Sequence, residues 1–184
     1  VREMRDGPVV LLGHSLGGMV AARFVAQGMA VNQHAPSWHR RVDALVLSSP
    51  ALELGLSAPQ RALLSMLGPL APDTAMNNSL EADWVSTNPE VVQAYRKDPL
   101  VHDRVTPRLV RFMVDGAEFV HRYAPVWSLP TLLLWAGADQ CVSPKGSLQF
   151  AIKAPPEWVT AKCFESMAHE IFNEPERDLV VGAL

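Results

Sequence analysis

The sequence predicts a mostly parallel α/β sheet interrupted by an all-helical insert, and three observations predict it. Strand-like stretches at residues 9–12, 42–48, 131–136 and 159–164 are separated by stretches with helical patterning. The first strand-like stretch passes into a helix through the turn Gly13, His14, Ser15, Leu16, Gly17. The stretch from Leu52 to Trp127 carries helix starts and stops but no good strand.

Each element has its own reason. Val9, Val10, Leu11 and Leu12 form a continuous aliphatic run, which suits a strand buried on both faces. Met19 to Ala26 continue as a helix without a breaker. Glycines at 13 and 17 are expected to make room at a tight strand-to-helix turn, where a Cβ would crowd the neighbouring strand or helix. Ser15 then stands at a helix N-terminus, with the Leu16 backbone N–H available to an anionic oxygen. A polar connection from Asn32 to Arg41 leads into a strand from Val42 to Ser48 that ends at Ser49 and Pro50.

In the insert, one helix begins near Ser57 and Pro59 and carries Leu63, Leu64, Met66 and Leu67. A second has Asn88 as cap, Pro89 at its first position and Pro99 as a stop. The third repeats that start with Thr106 and Pro107, and Leu109, Met113, Ala117 and Val120 give it an apolar stripe. A strand at Thr131–Ala136, a helix from about Pro144 to Lys153 and a strand at Val159–Phe164 follow, and Pro175 to Val181 opens a last helix. Residues 1–51 and 128–184 are expected to form one discontinuous core, with 52–127 as a helical cap over the carboxyl ends of the strands.

Composition excludes several classes. The 184 residues are 48% hydrophobic and 19% charged, which suits one globular domain and neither a disordered nor a fibrous chain. Sixteen basic and 19 acidic residues leave a net charge of −3, and the only adjacent basic pairs are Arg40–Arg41 and Arg96–Lys97, so no nucleic-acid partner is expected. No apolar run reaches bilayer length and no signal-peptide pattern opens the chain, which gives a cytoplasmic expectation. Cys141 and Cys163 lack CxxC spacing and are expected as free thiols. A start at Val1 shortly before a strand, and a final helix cut at Leu184, suggest a piece of a longer protein.

A serine hydroxyl is a poor nucleophile at neutral pH and needs a base, which in turn needs an orienting group. Asp139 lies just beyond the third strand in Gly137, Ala138, Asp139, and His169 lies just beyond the fourth in Ser166, Met167, Ala168, His169. Singly, Asp139 reads as a helix cap and His169 as a polar loop residue. Together, at successive strand ends, they can meet Ser15 at one sheet edge, in the chain order Ser, Asp, His. His14 is expected to line the pocket; His34 and His39 fall in the polar connection, and His102 and His121 in the insert. No metal-ligand spacing is present, so neither a metal nor an organic cofactor is expected.

The chain resembles the α/β-hydrolase superfamily, and within it the monoacylglycerol lipase and lysophospholipase-like branch with serine aminopeptidase S33-type hydrolases. Four stretches carry the resemblance: LGHSLGG at 12–18, VLSSPAL at 46–52, YRKDPLV at 95–101, and HEIFNEPER at 169–177 after GADQCVSP at 137–144. The resemblance implies Ser15 as nucleophile, Asp139 as acid, His169 as base and Leu16 N–H as one oxyanion donor. It also implies an eight-stranded sheet, of which the last four strands are present, and a second oxyanion donor from a segment upstream of this chain.

The implied reaction is ester hydrolysis through an acyl-enzyme, on a monoacylglycerol or lysophospholipid. Leu63, Met66 and Leu67 in the insert, with His14, are candidate substrate contacts, and the same apolar insert suits transient contact with a lipid surface by a peripherally bound protein. Packing onto the domain beneath would use the same residues. Two alternatives stand: a serine hydrolase of thioesters, amides or carbon–carbon bonds, and a truncated, non-catalytic binding module. Oligomeric state is left open.

Overall fold

The computed structural model describes residues 7–30 and 40–184. The chain runs β1 (Val10–His14), α1 (Ser15–Ala30), β2 (Ala44–Ser48), α2 (Ala58–Leu70), β3 (Met76–Asn77), α3 (Pro89–Lys97), β4 (Arg104–Val105), α4 (Pro107–Tyr123), β5 (Thr131–Ala136), α5 (Pro144–Lys153), β6 (Val159–Phe164) and α6 (Arg177–Val181). Short 3-10 turns fall at Ala82–Trp84, Ala124–Val126 and Ile171–Asn173.

β1, β2, β5 and β6 lie in that order in one parallel sheet. His14 pairs with Ser48, Ser48 with Leu134, and Ala136 with Phe164. The register therefore brings the four carboxyl ends to one edge, and the segments after β1, β5 and β6 carry Ser15, Asp139 and His169 there. All three pairings are parallel and helices pack against the sheet, as the sequence predicts.

Alternation along the strands divides the apolar side chains between two faces. Leu45, Leu47, Leu133 and Trp135 pack in one cluster with Met19, Ala22 and Val25 of α1, Val120 of α4 and Phe150 of α5. Trp127 meets Phe150 edge-on at 4.9 Å and donates its indole N–H to Thr131 Oγ1 at 2.9 Å. Leu134 and Ala136 face the other way, against Phe164, Met167, Ile171 and Val180. This second cluster seats the segment around His169.

The insert is tied to the core by α4. Thr106 caps it by accepting from the Leu109 N–H, Ala117 and Val120 are buried, and the Arg23 guanidinium of α1 lies 5.0 Å above the Phe112 ring. α4 packs against both α1 and α2, so it belongs to the layer that covers the sheet. Asn88 caps α3 by accepting from the Glu90 N–H.

Three features differ from expectation. β1 is not buried on both faces: Val10 is 58% and Leu12 55% exposed, because among the described residues only β2 pairs with β1 and nothing packs over that face. The insert does contain strand structure, the two-residue antiparallel pair β3 and β4, closed by Asn77 Nδ2 donating to Asp103 Oδ2 at 2.7 Å. Two residues are too few to leave an alternating pattern. The last helix is a single turn and a half, Arg177–Val181, starting after Pro175 rather than at it. His34, His39 and most of the Asn32–Arg41 connection lie outside the described residues. Among those described, no helix is long and apolar enough to cross a membrane.

Candidate active site

The turn after β1 is built by close backbone approach. A Cβ on Gly13 would lie 2.6 Å from the Gly17 carbonyl oxygen and 2.8 Å from Gly18 Cα, and one on Gly18 would lie 2.8 Å from Pro50 Cβ. Gly17 has nothing within 4 Å of that position. The residues that need to be glycine for packing are therefore Gly13 and Gly18, which corrects the expectation for Gly17. Ser15 sits at φ 52°, a left-handed conformation that costs a non-glycine residue about 1–3 kcal/mol. The Ala51 N–H, donating to the Ser15 carbonyl at 2.9 Å, helps to hold it.

The segments after β5 and β6 are tied together by backbone bonds. The Gly137 N–H donates to the Phe164 carbonyl at 2.9 Å and the Ala138 N–H to the Met167 carbonyl at 3.1 Å. Asp139 Oδ1 accepts from the Cys141 and Val142 N–H groups at 2.8 and 3.0 Å, so Asp139 also closes its own turn. This leaves Oδ2 for the His169 Nδ1–H, at 2.7 Å. The other ring nitrogen, Nε2, accepts from the Ser15 hydroxyl at 2.8 Å. His169 and Asp139 are buried. The structure thus joins Ser15, His169 and Asp139, residues spread over most of the chain, in one hydrogen-bonded line that can carry a proton from Oγ to the imidazole.

His14 stands beside this line. Its ring lies 4.8 Å from that of His169 and its Nδ1 3.0 Å from Ser48 Oγ. Burial, and next the neighbouring His169, push its pKa below the ordinary histidine value, so His14 stays neutral next to the base. Leu16 follows Ser15 in the first turn of α1, where backbone N–H groups have no helical acceptor. On α2, Met66 is exposed, while the side chains of Leu63 and Leu67 lie outside the described part of the structure.

The donor atoms of Asp139, Cys141 and His169 all lie within 4.8 Å of one another, close enough to hold a metal ion. The carboxylate and imidazole are already hydrogen-bonded, and burial pushes the Cys141 thiol up to about 12, so it is protonated at neutral pH. A protonated thiol is a poor ligand. Cys141 and Cys163 are both free thiols.

One residue of the site enters the sequence reading only as part of the HEIFNEPER stretch, with no role of its own. Glu174 is almost fully buried, and its carboxylate accepts four hydrogen bonds. Oε1 takes the Ser86 hydroxyl at 2.5 Å and the Thr87 N–H at 2.7 Å; Oε2 takes the Thr87 hydroxyl at 2.8 Å and the Ala168 N–H at 3.1 Å. Burial alone would raise its pKa, but the hydrogen bonds outweigh it and hold the carboxyl below its usual value. A depressed folded value stabilises the fold above the unfolded carboxylate range of about 4.3, and that stabilisation is lost as the pH falls through the folded value. The melting-temperature gap between the parent and Glu174→Gln is therefore expected to be widest above about pH 5 and to narrow toward pH 3. A gap that widens on acidification would contradict this sign.

The family model for serine aminopeptidase S33 matches residues 1–176. The chain belongs to this family. Within it, the S33 chain lies on the monoacylglycerol-lipase-like branch of the α/β-hydrolases. It is 33% identical over 177 residues to a monoacylglycerol lipase of Mycolicibacterium smegmatis, covering 95% of this chain and 59% of that protein. It is 31% identical over 181 residues to the phospholipase YtpA of Bacillus subtilis, covering 97% and 66%. The crystal structure of Paleococcus ferrophilus monoacylglycerol lipase superposes with a TM-score of 0.81 at 32% identity, over 99% of this chain and 70% of that one. The S33 chain thus spans about six tenths of the length of the two curated relatives.

Proposed function

We propose that this chain carries the catalytic centre of a serine ester hydrolase acting on monoacylglycerols or lysophospholipids. The observation that carries the reading is the His169 imidazole, bonded to Ser15 Oγ on one side and Asp139 on the other. Ser15 Oγ attacks the ester carbonyl while His169 Nε2 takes its proton, and Asp139 fixes the tautomer and steadies the imidazolium. The Leu16 N–H donates to the oxyanion. Collapse of the tetrahedral species releases the alcohol, protonated by His169, and leaves Ser15 acylated. Water then gives a proton to His169 and its oxygen to the acyl carbon, and the fatty acid leaves as the proton returns to Ser15 Oγ.

The substrate class is supported by the lipid-directed names of the relatives and by two features of the insert. A mostly apolar cavity of about 250 Å³ lies between α2 and the β3–β4 pair, lined by Leu56, Leu64, Met76, Val105 and Val110, with Gln60 and the polar run Asn77–Ser79 also on its wall. Met66 and Leu70 of α2 are 67% and 82% exposed, and α2 is the part of the insert we expect to rest on a lipid surface. A peripheral, cytoplasmic enzyme that uses no metal or organic cofactor fits this reading. Residues 52–127 act in it as the cap, with His14, Leu63, Met66 and Leu67 as contacts for the acyl chain.

A substrate panel tests it. Long-chain monoacylglycerol and lysophosphatidylcholine are expected to be hydrolysed, with thioester, amide and diketone substrates turned over at least about tenfold more slowly. Activity confined to short soluble esters would reject the lipid assignment, and preference for a thioester or diketone would replace the ester chemistry.

A further inference from the structure

Hydrogen bonds cross between the insert and the segment that carries His169. The Glu170 N–H donates to the Val85 carbonyl at 2.8 Å, and Glu174 reaches the Ser86 and Thr87 donors from the other end of the same short segment. The Ser86 hydroxyl also accepts from the Asn88 N–H at 3.0 Å, which joins this contact to the cap of α3. On its second oxygen Glu174 binds the N–H of Ala168, the residue immediately before His169. The carboxylate is buried, and the ion pairs formed among the described residues do not include it. A buried charge held only by neutral donors is costly unless all its acceptor sites are filled, and here two donors meet each oxygen.

We propose that Glu174 is a positioning residue for the base: it clamps Ala168, and with it His169, to Ser86–Thr87, so that the place of the imidazole over Ser15 depends on the seating of the insert. The proposal rests on the reading of His169 as the base. The geometry explains why a carboxylate stands here. Each oxygen accepts one backbone N–H, from Thr87 on one side and Ala168 on the other. A backbone N–H cannot turn away or become an acceptor, as a hydroxyl can. Glutamine has one acceptor oxygen, so either orientation of its amide sets an NH₂ group against one of these N–H groups. Only an ionised acid satisfies both.

The test compares the parent, Glu174→Gln and Ser86→Ala in three measurements: fluorophosphonate labelling of Ser15, kcat and KM on p-nitrophenyl acetate, and the low-field proton resonance of the His169–Asp139 hydrogen bond. Glu174→Gln is expected to lower labelling and kcat at least about tenfold with KM within roughly twofold, because a small misplacement of a catalytic group costs up to about 10² in rate. Its low-field resonance is expected to shift or broaden. Ser86→Ala leaves both backbone N–H bonds to Glu174 in place and is expected to stay within about threefold of the parent.

A folded Glu174→Gln protein that melts lower but keeps the parent's resonance and kcat would overturn the proposal, since Glu174 would then only add stability. If Glu174→Gln does not fold, Glu174→Asp asks the same question, because its shorter carboxylate stays ionised but cannot reach the Thr87 and Ala168 N–H groups together. A shifted resonance in it supports the clamp, and an unchanged one refutes it. A parent that neither labels nor turns over, yet loses its low-field resonance on Glu174→Gln, would count against the hydrolase reading while upholding the clamp.

Discussion

His169→Ala is expected to slow fluorophosphonate labelling of Ser15 by roughly 10⁴ to 10⁶-fold, to the level of the Ser15→Ala control, without unfolding the protein. The reason lies in the acceptor that Ser15 Oγ has among the described residues, Nε2 of His169 at 2.8 Å. Without it the hydroxyl must lose its proton to water, and its ordinary acidity makes that rare at neutral pH. His14 does not replace the lost base. Its ring is 4.8 Å from that of His169, but its Nδ1 is bound to Ser48 and burial lowers its proton affinity. Asp139→Asn is expected to cost about 10⁴-fold, because an amide next to Nδ1 favours the tautomer that offers a proton to Ser15 instead of accepting one. Labelling of His169→Ala within tenfold of the parent would remove His169 from the role of base.

The residues of this line were legible for a reason that applies to parallel sheets in general. A strand is short, its apolar run has clear ends, and whatever follows its carboxyl end arrives at the same edge as its neighbours. Asp139 and His169 follow β5 and β6, whose bounds at Thr131–Ala136 and Val159–Phe164 coincide with the strands expected from the sequence. Glu174 followed no such rule. Its hydroxyl partner Ser86 is 88 positions away in the chain, in a segment with neither strand nor helix periodicity, and a carboxylate next to a proline in a loop looks like any solvated one. The faces of β1 were misjudged because four consecutive aliphatics say that both faces are apolar, not that both are covered. Burial needs a neighbour, and a neighbour is a property of the tertiary structure.

The turn that holds Ser15 gives the second large effect, and it separates two glycines that the G-x-S-x-G pattern treats alike. Gly13→Ala places a methyl group 2.6 Å from the Gly17 carbonyl oxygen, 2.8 Å from Gly18 Cα and 2.9 Å from the Gly17 carbonyl carbon. All three are backbone atoms, so no side chain can swing aside, and β1 must separate from the first turn of α1. Overpacking of this kind typically costs about 1–3 kcal/mol, and a rigid backbone contact belongs at the upper end. In a chain of this size about 3 kcal/mol lowers the melting temperature by roughly 6–12 °C. Because the same shift moves Ser15 away from His169, labelling is expected to fall at least about 10²-fold even where the variant remains folded. Gly17→Ala adds its methyl to open space and gains helix propensity of up to about 1 kcal/mol, so its melting temperature is expected to match or slightly exceed the parent's. Thermal unfolding of the two variants side by side checks both claims. Equal losses would mean that the pattern itself, rather than the contacts of Gly13 with the backbone of Gly17 and Gly18, sets the need for glycine at this turn.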